Sequence, residues 1–213
     1  MRRLRVLFPI VGCLLAAVVV ALPAAAQHHA SRASHAAAAP LPPGLYATFV
    51  TGKGNIVVQL FPNDAPKTVE NFVNLAEGKR PFRDPLTGMV SSRPFYDGQL
   101  FYRIIPGQII QTGDPSSSGA GDVGFTIPAE SNHLKFDHAG RLSMAQADGD
   151  PASRSTQIFI TLMPDPQLDR QHFIVFGQVV QGLNIARAIS EGPHRGEHPL
   201  RAVTIKTITI TKR

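Results

Sequence analysis

Short apolar runs bounded by glycine or proline make up most of the chain after residue 45. The runs are rich in Val, Ile, Thr and Phe, and this length and composition predict β-strands. The predicted strands cover residues 46–51, 55–61, 100–105, 109–112, 142–145, 157–162, 172–180 and 203–211. Only two helical patterns accompany them, and strands do not alternate with helices, so the sequence predicts a mainly-β fold, either an antiparallel barrel or a sandwich.

The first predicted helix follows the second strand and carries an apolar stripe at helical spacing. Pro66 suits its first turn, and Asn63 or Asp64 is predicted to cap it. Gly78 is predicted to end it. The second helix is shorter and covers residues 182–190.

Two segments and one strand depart from regular patterns. Residues 79–98 and 115–124 are rich in Pro, Gly or Ser and are predicted to be surface loops. In the last strand, Ile205 and Ile208 lie in opposite phases of the alternation, which predicts a β-bulge between them.

Residues 1–26 have the pattern of a secretory signal. Three arginines precede an uncharged stretch that ends in three alanines, which predicts cleavage before Gln27. The apolar run is long enough that an uncleaved amino-terminal anchor is an alternative, and lipidation at Cys13 is a second one. Residues 27–43 are predicted to be a flexible linker rich in Ala, His and Pro, followed by a folded domain at 44–213. The protein is therefore expected to be exported, in the periplasm or cell envelope, and to contact a membrane only if the first segment is retained.

Composition excludes several functions. Cys13 is the only cysteine, so the processed chain has no disulfide and no thiol nucleophile. Without the three arginines of the signal, 18 Lys and Arg face 15 Asp and Glu, a net charge of +3 with no basic block. Nucleic-acid binding is therefore disfavoured. Three histidines near the amino terminus are interpreted as a solvated tail, and neither a metal nor a cofactor is expected.

Arg103 lies in an otherwise apolar strand. It is interpreted either as an edge-strand residue whose head reaches solvent, or as a cation at the mouth of an apolar pocket. Gln111, Phe159 and His172 follow in or beside other apolar strands. The sequence has no GxSxG elbow and no P-loop, so it lacks the motifs of a serine hydrolase and of a P-loop nucleotide-binding protein. One fixed cation beside an apolar wall suits the binding and polarising of a neutral substrate.

Several motifs, in order along the chain, resemble those of cyclophilins, the peptidyl-prolyl cis–trans isomerases. They are Pro66-Lys67-Thr68-Val69-Glu70-Asn71-Phe72, the stretch from Phe101 to Asp114, Leu142-Ser143-Met144-Ala145, Ser155-Thr156-Gln157-Ile158-Phe159-Ile160, and Leu168-Asp169 with His172 to Gly177. The resemblance implies a closed eight-stranded antiparallel barrel capped by two α-helices, with the site on its outer face.

The resemblance also implies roles for individual residues. Arg103 matches the catalytic arginine, and Gln111 matches a glutamine that holds the substrate backbone. The walls of the proline pocket match Ile109, Phe159, Leu168 and His172. The segment that pairs with the substrate backbone matches Ala145 and Gln146, the latter where the family usually has asparagine. The expected substrate-binding set also includes Phe101 and Gln108.

The chain departs from the family pattern at two positions. Gln108 stands where a pocket phenylalanine is usual, and the lost apolar area would cost on the order of 1–3 kcal/mol of substrate binding if no neighbour replaces it. Gln167 stands where cyclosporin-sensitive members have tryptophan, so weak cyclosporin binding is expected. The 79–98 loop and the segment between Met144 and Gln157 are also longer than in compact members.

The expected function is isomerisation of X–Pro bonds in folding exported proteins. The expected partners are proline-containing unfolded or folding polypeptides, and a monomer is expected. The alternative is a weakly catalytic or non-catalytic module that binds proline peptides as a chaperone, which Gln108 favours and Arg103 disfavours. A ligand inside the barrel is disfavoured because side chains fill small barrels.

Overall fold

The computed structural model describes residues 40–128, 130–146 and 153–213. The signal, anchor and lipidation hypotheses, most of the predicted linker, and the long segment between Met144 and Gln157 in large part lie outside the described residues. In chain order the elements are β1 (Leu45–Thr51), β2 (Gly54–Leu60), α1 (Pro66–Ala76), β3 (Phe82–Arg83), β4 (Val90–Ser91), β5 (Arg103–Ile105), β6 (Ile109–Thr112), β7 (Arg141–Gln146), β8 (Ser153–Thr161), α2 (Pro166–Asp169), β9 (Ile174–Gln181), α3 (Leu183–Ser190), β10 (His194–Arg195), β11 (His198–Pro199) and β12 (Ile205–Lys212).

Eight strands form one antiparallel sheet in the order β12-β1-β2-β9-β7-β8-β6-β5. The mainly-β prediction is confirmed, but the closed barrel is corrected to an open, half-barrel sheet. The segments just before β5 and β12 are joined by an isolated bridge, Leu100 to Thr204, and by single backbone hydrogen bonds such as Phe101 N to Val203 O at 3.0 Å. Among the described residues, no ladder pairs β5 itself with β12.

The sheet separates two apolar clusters, because alternate residues of a strand point to opposite faces. In β8, Ile158 and Ile160 lie in the main core, while Phe159 lies in a second, smaller cluster on the outer face. α1 covers the main core, where its Phe72 ring packs 5.4 Å from the Phe176 ring. The outer cluster forms one side of an open cavity on this face of the sheet.

The start of the described chain is attached to the sheet. Tyr46 donates its hydroxyl hydrogen to the carbonyl of Pro42 at 2.7 Å, and Gly44 exchanges two backbone hydrogen bonds with Arg213. Pro40–Arg213 form one compact unit, which includes the described residues of the predicted linker, 40–43.

The predicted bulge in the last strand is confirmed, since the register of β1 and β12 shifts between Val50 and Thr51, opposite Thr207 and Ile205. The structure adds the hairpin β3–β4 within the predicted loop 79–98, and it adds the helix α2 and the hairpin β10–β11, for which no element was predicted. Among the described residues, no helix is long and apolar enough to cross a membrane.

The amino terminus of α1 is capped differently from the prediction. The N-cap residue is Ala65, which has no side-chain acceptor, rather than Asn63 or Asp64. The carboxylate of Glu130 instead accepts hydrogen bonds from the backbone N–H groups of Lys67 and Thr68, at 2.9 and 2.8 Å. A residue 62 positions away therefore satisfies N–H groups that a local cap would normally satisfy.

Replacing Glu130 by alanine is expected to lower the free energy of unfolding by about 1 kcal/mol, the usual effect of losing a helix cap. Chemical denaturation would measure it. Glu70→Ala is the matched control, because Glu70 is an exposed glutamate on α1. Equal stability of the E130A and E70A variants would contradict the capping role.

Candidate active site

One row of side chains crosses four strands on the outer face of the sheet. Arg103 of β5 is paired in register with Gln111 of β6, Gln111 with Phe159 of β8, and Phe159 with Ser143 of β7. Directly paired residues of neighbouring strands lie on the same face. The strand register therefore brings together the Arg103 guanidinium, the Gln111 amide and the Phe159 ring.

The Arg103 guanidinium is held at two of its nitrogens. Its Nη1 donates to Oε1 of Gln111 at 2.9 Å, and its Nε donates to Oε2 of Glu197 at 2.6 Å. The Arg103 side chain is 33% exposed and lines an open cavity, which agrees with the interpretation as a cation at the mouth of a pocket rather than as an edge residue extended into solvent. Among the described residues, its Nη2 donates to no acceptor.

The Gln111 amide is fixed by buried polar neighbours. Its Nε2 donates to the Tyr102 hydroxyl at 2.6 Å and to Oε1 of Gln157 at 3.2 Å. The Tyr102 hydroxyl donates to the same Gln157 oxygen at 2.7 Å, and Gln157 donates to the carbonyl of Gly119 at 3.1 Å. This network leaves the Gln111 oxygen as the acceptor for Arg103, which fixes the orientation of both groups.

The close approach of β6 and β8 beside the network depends on Gly113. This residue has φ +91°, and an added Cβ would lie only 2.1 Å from the Thr156 carbonyl oxygen. Tyr96 donates its hydroxyl hydrogen to the same carbonyl at 3.0 Å. Burial raises the pKa of Tyr96 above its ordinary value, so its hydroxyl stays protonated.

The apolar side of the site is aromatic. The Phe159 ring stacks on Phe136 with centroids 6.0 Å apart and meets Phe173 edge-on at 5.2 Å. Ile109 and Leu168 pack against this cluster while remaining partly exposed. The result is an apolar wall that faces the Arg103 guanidinium across an open cavity of about 600 Å³.

Eight of the ten residues expected at the site line this cavity: Arg103, Gln108, Ile109, Gln111, Ala145, Gln146, Phe159 and Leu168. The polar side chain of Gln108 is exposed at the rim, where a pocket phenylalanine was expected from the resemblance. Their roles toward a substrate stay predictions.

The expected positions of two residues are corrected. Phe101 is fully buried in the main core, because it precedes β5 on the inner side of the sheet. His172 is exposed and has a left-handed backbone with φ +57°, whereas the next residue, Phe173, lines the cavity. Because of the left-handed backbone at His172, the side chain of Phe173 lines the cavity in place of the side chain of His172. Strand alternation alone does not predict this change.

The sequence also missed cavity residues, chiefly Glu197 and Phe173. Glu197 lies in the turn between β10 and β11, where nothing in the local pattern distinguished it from an ordinary surface charge. Phe173 is adjacent to the residue that was predicted. Among the described residues, no three His, Cys, Asp or Glu side chains are grouped so that they could hold a metal ion.

The chain is similar to known proteins over most of its folded part. The family model described as "Cyclophilin type peptidyl-prolyl cis-trans isomerase/CLD" matches residues 46–210. The match includes every strand and helix that lines the cavity.

Two bacterial relatives are similar over most of their own length. The chain is 38% identical over 173 residues to peptidyl-prolyl cis-trans isomerase B of Streptomyces anulatus, covering 79% of this chain and 98% of the relative. It is 40% identical over 169 residues to peptidyl-prolyl cis-trans isomerase A of Mycobacterium tuberculosis, covering 78% and 91%.

A similar fold is found in a crystal structure of a cyclophilin type isomerase from Cryptosporidium parvum, determined in the presence of the dipeptide Ala-Pro. The TM-score is 0.67 with 28% sequence identity, covering 79% of this chain and 99% of that one.

Proposed function

Because the chain belongs to the family of cyclophilin-type peptidyl-prolyl cis-trans isomerases, we propose that its outer-face cavity holds a proline of a polypeptide substrate and accelerates rotation about the preceding bond. The strongest support is the Arg103 guanidinium, held at Nε and Nη1 beside an aromatic wall. The Ala-Pro dipeptide present with the similar C. parvum protein agrees with a proline ligand.

The reaction needs no nucleophile. Rotation about an X–Pro bond faces a barrier of about 18–20 kcal/mol because the amide is stabilised by resonance. As the bond twists, the lone pair of the prolyl nitrogen becomes localised and can accept a hydrogen bond. Arg103 would donate that bond, which exists only in the twisted state and therefore lowers the barrier rather than merely improving binding.

The remaining groups would hold the substrate. The wall formed by Ile109, Phe159 and Leu168 would keep the proline ring in place while the other side of the bond turns. It would also exclude water, which strengthens the effect of the Arg103 charge. Gln111 would contact the substrate backbone through its Oε1, which can accept a second hydrogen bond, since its Nε2 already donates to Tyr102 and Gln157. Ala145 and Gln146 at the end of β7 would pair with the substrate backbone.

We propose further that the protein acts on exported polypeptides in the periplasm or envelope. This rests on the signal pattern of residues 1–26. Amino-terminal sequencing of the exported protein is expected to begin at Gln27. Recovery of Met1 in the membrane fraction would instead support a retained anchor.

The alternative is a module that binds proline peptides without accelerating isomerisation. Gln108 favours it, because an amide at the cavity rim offers less apolar contact than an aromatic ring. Measuring isomerisation of a short Xaa-Pro peptide decides between the two. Rates no faster than buffer, with peptide binding retained, would support the alternative.

Phe173 is expected to replace part of the apolar surface that Gln108 does not provide. Truncating it to alanine should raise KM for a Xaa-Pro peptide by about fivefold, since roughly 1 kcal/mol of apolar contact is lost. His172→Ala is the matched control and should leave KM unchanged, because His172 is exposed and outside the cavity lining. A larger effect of H172A than of F173A would contradict this assignment.

A further inference from the structure

Glu197 forms the closest polar contact of the arginine in the site. Its Oε2 accepts a hydrogen bond from Nε of Arg103 at 2.6 Å, the distance of a strong charge-assisted bond. The two residues are 94 positions apart in the chain. The Glu197 side chain is 49% exposed and borders the same cavity as Arg103.

The backbone holds Glu197 in this place. The N–H of Ile104, the residue after Arg103, donates to the carbonyl of Glu197 at 2.8 Å. Glu197 and Gly196 form the two-residue turn of the β10–β11 hairpin, and Gly196 adopts the left-handed backbone with φ +58°. The carboxylate is therefore anchored beside β5 rather than placed by a long flexible loop.

Two acceptors then define the plane of the guanidinium. Glu197 holds the Nε edge, and Gln111 holds Nη1. An arginine side chain free in solvent has several rotamers, and fixing one of them before substrate arrives removes an entropic cost from the reaction. The planar group with its fixed donors is suited to this kind of orientation from two sides.

We propose that Glu197 is a positioning residue that orients Arg103 toward the substrate amide. The inference rests on the proposed role of Arg103. Glu197 does not touch the substrate in this scheme, and its effect on catalysis passes entirely through Arg103. Since it orients a group that acts on the twisted state, its removal lowers kcat more than it raises KM.

The test is a double-mutant cycle in an Xaa-Pro isomerisation assay, using the wild type, E197A, R103A and R103A/E197A. E197A is expected to lower kcat about fivefold, in line with the usual strength of a partly exposed charge pair, with little change in KM. In the R103A background the same substitution should have no further effect, because non-additivity marks residues that act together. E197Q should recover most of the activity, since its amide oxygen can also accept from Nε.

A matched control and a spectroscopic readout accompany the cycle. Glu191→Ala removes an exposed carboxylate just beyond α3 and outside the cavity lining, and should leave kcat unchanged. The Nε–H resonance of Arg103, assigned by its loss in R103A, should be protected from exchange in the wild type and in E197Q but not in E197A. This signal reports the orientation of the guanidinium without depending on activity.

The possible failures are distinguishable. If R103A is as active as wild type, the proposed role of Arg103 and the positioning role both fail. If R103A is impaired and E197A is not, or if E197A raises kcat, only the positioning role is overturned. An equal loss from E197A with and without Arg103, or an effect on KM alone, also overturns it.

Discussion

An Arg103→Ala variant is expected to isomerise Xaa-Pro peptides about 100-fold more slowly in kcat/KM than the wild type, the usual effect of removing a hydrogen-bond donor directed at a transition state. The physical reason is that the neighbouring Gln111 cannot take over from the guanidinium, because its Nε2 already donates to Tyr102 and Gln157. A protease-coupled or NMR exchange assay would measure the rate.

Two controls separate catalysis from folding. Arg103→Lys keeps the positive charge but loses the planar fork that contacts Gln111 and Glu197, so it should remain well below the wild-type rate. Thermal unfolding should show similar melting temperatures for the variants, because the Arg103 side chain is partly exposed and its ion pair contributes little to stability. Full activity of R103A would disprove the assigned mechanism even if the protein is an isomerase.

Replacing Gln108 by phenylalanine is expected to tighten peptide binding about tenfold, since an aromatic ring at the cavity rim adds roughly 1.5 kcal/mol of apolar contact. Gln108 is exposed, and its backbone is fixed by hydrogen bonds to Ile105 and Leu162, so the larger side chain has room without displacing the turn. Titration of a proline-containing peptide would measure the change.

Asn184→Phe is the matched control for this gain. Asn184 is an exposed amide residue on α3 that does not line the cavity, so a phenylalanine there should not change peptide affinity. Equal gains at both positions would indicate nonspecific apolar contact. An unchanged affinity of Q108F would mean that Phe173 already provides the contact that the rim lacks.

The β-strand pattern explains part of the site, whereas the places of Ile109, Leu168, Ala145 and Gln146 in it were expected from the resemblance to cyclophilins. Alternation along β6 and β8 places Gln111 and Phe159 on the face opposite the main core, and a tight turn at Gly107 brings Arg103 into register with Gln111. These are local properties, since they depend on side-chain periodicity and on one short turn. The same reasoning located the bulge in β12.

Other features of the site depend on exceptions to that pattern. The left-handed residue at His172 exchanges the positions expected for His172 and Phe173. Phe101 was placed with its motif, but the segment before β5 directs it into the core. A change of one backbone conformation reverses which side chain faces the cavity, and residue type alone does not predict such a change.

Residue patterns predicted the mainly-β class and the bounds of the longer strands and helices to within a few residues, because periodicity and turn residues act between near neighbours. Contacts between distant segments were needed to establish that the sheet is open, that Glu130 caps α1, and that Glu197 contacts Arg103. Each of these contacts joins segments far apart in the chain. The positions of these segments depend on how the whole sheet and its loops pack. A local sequence pattern therefore does not predict which of them come into contact.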